Sequence, residues 1–312
     1  MLRYARLVTR PAQLLHFTGL TPEQFATLTQ RLTPLWQAAE QQRLTRPSRQ
    51  RAIGAGRRYT LASLEDKVLV VLVFYRLYVT EELMGWLFGL HRSNVNRLLT
   101  KVEPWLTDAA DPTLRTFLHR AKRQRRKIGC WEDFIQAYPD LAEVVIDATE
   151  QPRQRPPRRS QRRWYSGKRK RHTVKTQLTV SRRGRILHVS APAPGRVHDY
   201  ALFKQLHMAD RLPPDTIAYL DRGYDGAAAE ATRPRFVLPV HRRRNKRVLT
   251  RAERRFNHAQ ASKRIIVEHL IARLKKYQLL AQVYRHRVAA YGQRVRNIAA
   301  LVNFRTPLPT TA

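Results

Sequence analysis

EVVIDATE, residues 143–150, is the stretch that decides how this chain is read. Val144, Val145 and Ile146 form a β-branched run of the kind that fills a buried strand. Asp147 ends that run. The chain carries 60 Lys and Arg against 23 Asp and Glu, a formal charge of +37. A carboxylate placed at the edge of apolar structure in so basic a chain calls for a chemical reason.

Composition narrows the classes. A length of 312 residues with 43% hydrophobic content is enough for two domains with real cores, and excludes a disordered basic tail. A pI near 11.5 calls for a polyanionic partner. Nucleic acid comes first, because Lys and Arg on phosphates release counterions and supply most of the affinity; a ribosomal or membrane-surface protein is the alternative. The single cysteine, Cys130, excludes an internal disulfide and fits a reducing cytoplasm. Val68–Phe74 is too short to span a bilayer and Arg76 follows it. MLRYARLVTRP, at the N-terminus, lacks the apolar centre of a signal peptide. The expectation is a soluble, cytoplasmic, nucleoid-associated protein with no membrane contact.

On the N-terminal side of the opening stretch the periodicity is helical. Thr21, Pro22 and Gln24 form a helix start with a capping box. That helix should run to about Arg43, with Phe25, Leu28, Leu32, Leu35 and Trp36 on one face. The basic linker RPSRQRAIGAGRR follows. Leu61 to about Tyr78 reads as a core helix. TEELMGWLFGLHRSNVNRLL, from Thr80, matches a helix-turn-helix position by position. Gly89 stands where the turn needs φ > 0, and Gly85 where two helices cross closely. Met84, Phe88, Leu90, Val95 and Leu98 fall on the buried side. His91, Arg92, Ser93, Asn96 and Arg97 are left on the outer face of the second helix, where Arg and Asn can read guanine and adenine edges in a major groove. An ordinary helical hairpin with a solvated face is the plain alternative.

After a mixed connector (107–142), strands dominate. EVVID, HTVKTQLTV (172–180), RILHVSA (185–191), TIAYLD (ending at Asp221) and FVLPV (236–240) are the candidates, with a turn at Arg182-Arg183-Gly184. Helices are expected from near Asp199, from Thr250 to Leu280, and over Tyr291–Asn303. The order β-β-β-α-β-α-β-α predicts a mixed α/β sheet with helices on both faces.

Two of these strands end in aspartate, at Asp147 and Asp221. Ligands in open α/β sheets gather at the carboxyl ends of strands. Two bare aspartates a few ångströms apart repel, and a divalent cation removes that penalty. The late helix, RIIVEHLIARLKKY, offers a third acid in Glu268, expected on or near the packed side. Arg264 lies four residues before it and Lys275 seven after, on one helix face. Taken singly, a strand-end Asp is a turn or cap residue and Glu268 with Arg264 a surface pair. Strand, strand and helix in that order, in a basic surround, is the more specific pattern.

Those residues carry a resemblance. DATEQPRQRP, YSGKRKRHTVKTQ, PGRVHDYALF, YLDRGYDG and RIIVEHLIARLKKY resemble the transposases of bacterial insertion sequences in the DDE superfamily, in particular the insertion sequence five group and its Harbinger-type relatives. LASLEDKVLVVLVFYRLYVTEELMGWLFGLHRSNVNRLL resembles the helix-turn-helix region that precedes that catalytic domain. Together they cover most of residues 15–304. The resemblance implies a ribonuclease-H-like fold: a mixed five-stranded sheet with flanking helices, preceded by an all-α helix-turn-helix domain. It carries the acidic triad onto Asp147, Asp221 and Glu268. Arg264, Glu268 and Lys275 fit the spacing of the related Tyr–Arg–Glu–Lys signature, but Ala261 stands in the place of its tyrosine. Asp199, in GRVHD, competes for the second triad position; Asp221 is preferred because it ends a strand, whereas Asp199 is suited to capping the next helix. Asp225 reads as a loop acid.

The implied chemistry is metal-dependent cleavage and strand transfer of DNA phosphodiester bonds, with Asp147 bridging two Mg²⁺ ions and Asp221 and Glu268 each holding one. Mn²⁺ would be able to substitute. Arg264 and Lys275 would hold phosphates or neutralise the acids. Between Gln151 and His198 there is no acidic residue and 15 Lys and Arg, interleaved with Trp164 and Tyr165. Lys168, Arg169, Lys170, Arg171 and Lys175 are therefore expected on the DNA backbone, and basic density recurs at His241–Arg247. The partner would be double-stranded DNA, as transposon ends and target, bound by a homodimer or higher assembly. The expected division is an N-terminal helix and linker (1–60), a helix-turn-helix domain (61–110), a connector (111–142), a catalytic domain (143–305) and a tail (306–312). A catalytically silent DNA-binding regulator and a stand-alone endonuclease are the rival functions.

Overall fold

Apolar helix faces near the N-terminus and β-branched runs in the middle of the chain build two different units in a computed structural model, which describes residues 1–50, 52, 59–227, 235–241 and 248–306. One unit is helical and comprises Met1–Pro112, Lys275–Gln282 and Arg296–Thr306; the other is α/β and holds the remainder of the described chain.

The helical unit starts with α1 (Tyr4–Leu7), α2 (Pro11–Thr18) and α3 (Pro22–Leu44). Thr21 and Gln24 close the expected capping box at the start of α3. Phe25, Leu28 and Leu32 are buried, but the buried stripe stops there and Leu35 is exposed. Ser63 caps α4 (Leu64–Leu77), in which Val68 to Tyr75 are all buried. α5 (Glu81–Phe88) and α6 (Arg92–Ala110) form the helix-turn-helix. Gly89 takes the left-handed conformation at φ +68° between them. A Cβ on Gly85 would lie 2.4 Å from the Leu90 carbonyl oxygen, so only glycine fits where the two helices close. Met84, Phe88, Val95 and Leu98 are buried as expected, with Leu90 half-buried. Asn297 ties the unit internally by accepting from the Thr107 hydroxyl and donating to the Tyr75 hydroxyl and the Glu103 carbonyl.

The α/β unit has α7 (Phe117–Arg125) and α8 (Trp131–Ala137) before β1 (Glu143–Pro152). α9 (Gln161–Trp164), β2 (Tyr165–Ser166), β3 (Arg171–Ser181), β4 (Ile186–Val189) and β5 (Ala193–Pro194) follow. Next come α10 (Asp199–Gln205), α11 (Met208–Arg211), β6 (Ile217–Tyr219), β7 (Arg235–Val237) and α12 (Arg251–Lys275). α13 (Gln278–Ala281) lies in the helical unit, and α14 (Val288–Arg305) contributes to both units. The five expected strands lie in the order β4-β3-β1-β6-β7, with β2 and β5 as two-residue additions to β3. β1, β3 and β4 are antiparallel neighbours, while β6 and β7 run parallel to β1. This is the mixed sheet with flanking helices that the sequence predicts.

Several expected bounds change: β6 ends at Tyr219, two residues before Asp221, and β7 ends at Val237. β1 does not stop at Asp147 but continues to Pro152, because the eleven-residue β3 pairs with it that far. The late helix ends at Lys275 rather than Leu280, since Tyr277 is extended and a separate turn of helix restarts at Gln278.

Candidate active site

Register brings the first two acids together. Val145 pairs with Tyr219 where β1 and β6 run parallel. Two residues beyond each comes Asp147 and Asp221, and Asp221 is still extended at φ −92°, ψ −179°. Equal offsets in parallel strands put the two side chains level and on one face of the sheet. The opposite face, through Val144, Ile146, Ala218 and Leu220, packs on Phe203, Met208 and Tyr224. Asp147 therefore sits beside β6 at the point where the parallel pairing ends, although β1 itself runs on.

α12 crosses the acid-bearing face. Two rows below Asp147, Glu143 accepts from the Tyr219 hydroxyl at 2.7 Å and from Lys263 Nζ at 3.1 Å. The next residue of α12, Arg264, lies 3.9 Å from Asp221 Oδ2. Asp221 Oδ1 accepts from the Gly223 amide at 2.6 Å, which fixes the turn after β6. Asp147 Oδ1 accepts from the Ala148 amide at 2.7 Å.

Burial pushes the Asp147 carboxyl up to about 6. The negative charges of Asp221 and Asp199 push the same way, against the Ala148 amide and Arg264. Tyr224 is held protonated well above the usual range by burial and by the same three aspartates. Negative potential is thus concentrated here in an otherwise basic chain.

Asp199 starts α10 but does not cap it. Its Oδ1 instead meets Lys175 Nζ at 2.6 Å, and Lys175 also lies 3.4 Å from Glu150. A buried ammonium outcompetes the helix amides for the carboxylate. Gly223 is pinched between Asp199 and Asp221: a Cβ there would lie 3.0 Å from Asp199 Oδ2 and 2.9 Å from Asp221 Oδ1.

The remaining expected site residues fall elsewhere. Glu268 is exposed, because the packed stripe of α12 is Gln260, Val267, Leu270 and Leu274, and one residue past Val267 turns about 100° away. Among the described residues no three His, Cys, Asp or Glu side chains stand close enough to hold a metal ion. Lys275 ends α12 half-buried and groups with the helical unit. Lys175 is buried in its ion cluster rather than presented to a ligand, whereas Lys168, Arg169, Lys170 and Arg171 are exposed on the β2–β3 turn. On α6, Arg92, Asn96 and Arg97 are exposed, with Asn96 donating to Glu81 at 3.0 Å and Arg97 to Asn94 at 3.2 Å. His91, also exposed, caps α6 by accepting from the Ser93 amide, and Ser93 is half-exposed. Of His241–Arg247, Arg242 to Arg247 lie outside the described residues.

A family model for the DDE superfamily endonuclease matches residues 146–303, and one for the helix-turn-helix of that superfamily matches 59–112. The chain belongs to the DDE superfamily. Among its relatives is a protein of Microchaete diplosiphon named as a probable transposase for insertion sequence element IS702, 32% identical over 81% of this chain and 84% of that one. A protein of Streptomyces albus G, named "Putative transposase for insertion sequence element IS112", is 23% identical over 87% of each. No solved structure matches. The helix-turn-helix match covers α4 to α6, and the endonuclease match begins one residue before Asp147.

A divalent cation suits the residues on the acid-bearing face. Asp147, within β1, and Asp221, just past the end of β6, offer hard oxygen donors side by side, and the desolvated, mutually repelling pair would be relieved by a cation. The site as it stands supplies two of the three acids that the resemblance implies.

Proposed function

We propose that this DDE-superfamily transposase recognises the ends of its element through α6 and cuts DNA phosphodiester bonds at Asp147 and Asp221, with transfer of the freed 3′ end to target DNA. The observation that carries this reading is the level placement of Asp147, in β1, and Asp221, two residues past the last parallel pair of β1 and β6, with Asp147 driven up to about 6. Asp147 and Asp221 would hold divalent cations, Mg²⁺ or Mn²⁺, which when bound supply Lewis acidity to an in-line displacement. Arg264, beside Asp221, is placed to hold a phosphate of the reacting strand and to limit repulsion between the acids. Gly223 fixes the Asp221 carboxylate through its amide, so that donor is positioned before any ligand arrives. The exposed Glu268 would join the site only on a rotation or shift of α12 that accompanies DNA or metal binding. Two ions, and an assembly of at least two copies holding two ends, remain part of the proposal by mechanism.

The second reading, a DNA-binding regulator without chemistry, is favoured by one observation: no three-carboxylate group is assembled among the described residues. A labelled duplex carrying the element's end separates the two. With Mg²⁺, Asp147→Ala, Asp221→Ala and Glu268→Ala should bind the end but not cut it, while Asp199→Ala should keep some cleavage. Tight binding without cleavage by the unaltered protein, in Mg²⁺ and in Mn²⁺, would establish the regulator.

A further inference from the structure

The acid-free stretch of the α/β unit forms a cationic groove from arginines other than the Lys168–Arg171 set. Arg155, Arg159, Arg162, Arg163 and Arg196 are exposed and line two adjoining concavities that share Arg162 and Arg196. No acid occurs between Gln151 and His198, and the carboxylates that bracket this interval, Glu150 and Asp199, are both engaged by Lys175. Among the described residues none of the five arginines has an ion pair. Like charges gathered without a counter-charge fit a polyanionic ligand.

The groove is built on a fixed frame. A Cβ on Gly195 would fall 1.8 Å from Thr173 Oγ1, and the Gly195 amide donates to the Thr173 carbonyl at 3.0 Å. Lys175 Nζ donates to the Val197 carbonyl at 2.6 Å. The backbone on either side of Arg196 is thereby held to β3. Asp199, which with Asp221 brackets Gly223, lies three residues further along. Concave basic surface and acidic site are therefore joined by one short, pinned segment.

An aromatic ring completes the wall. Tyr165 is 42% exposed, lines the second concavity and stands edge-on to its strand partner His172 at 5.7 Å. Trp164, by contrast, is covered by the Arg153 guanidinium at 4.4 Å. A duplex backbone is held by cations and hydrogen-bond donors and offers an exposed ring no base face to stack on. Cations interleaved with an exposed ring fit a strand whose bases are out of the stack, because every base offers a π face. We propose that this groove binds unpaired nucleotides of the DNA strand beside the reacting bond, with phosphates on Arg162 and Arg196 and a base against Tyr165. The assignment rests on the cutting role given above to Asp147 and Asp221.

The test is fluorescence anisotropy of the full-length protein with a labelled short oligothymidine, and separately with a flush-ended duplex, in EDTA over a range of NaCl. Arg162→Ala combined with Arg196→Ala should reduce the salt slope for oligothymidine by about 1.4, at roughly 0.7 per phosphate on a single strand. Tyr165→Ala should weaken that binding about five- to hundred-fold, and Tyr165→Phe should restore it. Duplex binding should change little in all three. Oligothymidine binding that is unchanged in these variants would overturn the proposal, as would an equal loss of duplex binding, which would make the groove a general phosphate surface. Chemistry is suppressed in EDTA, so this result stands apart from whether Asp147→Ala abolishes cleavage.

Discussion

Replacing Asp147 by Asn should stabilise the metal-free protein. A carboxyl moved from 3.8 to about 6 carries a penalty of about 3 kcal/mol at neutral pH, at roughly 1.4 kcal/mol per pH unit. That figure is an upper one, since the side chain keeps some contact with solvent. Well below pH 3.8 the carboxyl is protonated in both folded and unfolded chains and costs nothing. As pH rises from about 4 through 6 the unfolded chain gives up its proton first, so stability is lost over that window and the full penalty holds above it. Asn never ionises, and its amide oxygen can still accept from the Ala148 amide. In EDTA at pH 7.5, Asp147→Asn should therefore melt about 4–10 °C higher than the parent, and the gap should largely close near pH 4. Mg²⁺ should raise the melting temperature of the parent and leave the variant unmoved. Scanning calorimetry at the two pH values, with and without Mg²⁺, measures all of this. A variant less stable than the parent at pH 7.5 in EDTA would show that a partner already satisfies the carboxylate, and the electrostatic basis for a cation there would be gone.

Three further outcomes follow from other contacts. Lys175→Met should cost about 3–5 kcal/mol in denaturant unfolding, because it leaves Glu150 and Asp199 without the buried cation between them; adding Asp199→Asn should recover part of the loss. Gly85→Ala should destabilise the helix-turn-helix by about 1–3 kcal/mol or more, since its Cβ meets backbone rather than a yielding side chain; thermal unfolding and end binding should both report it. Asn96→Ala or Arg97→Ala should lower discrimination between the element's end and unrelated duplex by about 1–3 kcal/mol, while leaving non-specific affinity and its salt slope nearly unchanged; competition binding at fixed salt reads the difference.

What was legible in the sequence tracks how local the physics is. Thr21 with Gln24, Gly89 at positive φ and Gly85 at a helix crossing are decided by neighbours within a few residues, and each stands in the structure where pattern put it. The pairing of VVID with AYLD is less local, yet it follows from two strands of like texture ending in the same residue type, and the register puts their aspartates level. What could not be read was competition among distant groups. A helix-start aspartate such as Asp199 is a cap by every local rule, and only the fold delivers the Lys175 ammonium that claims it instead. For the same reason Lys175, one cation among the 15 Lys and Arg of an acid-free stretch, gave no sign that it alone would be buried. Glu268 shows the remaining gap. Its neighbours Ile265, Ile266, Leu270 and Ile271 make that part of α12 apolar nearly all round, so periodicity could not choose the packed face, and the structure turns Val267 and Leu270 inward with Glu268 outward. An acid that must be inward for chemistry and is outward without ligand makes α12 the element whose movement matters. That is why comparing the Glu268→Ala variant with the two strand-acid variants carries more information than any of them alone.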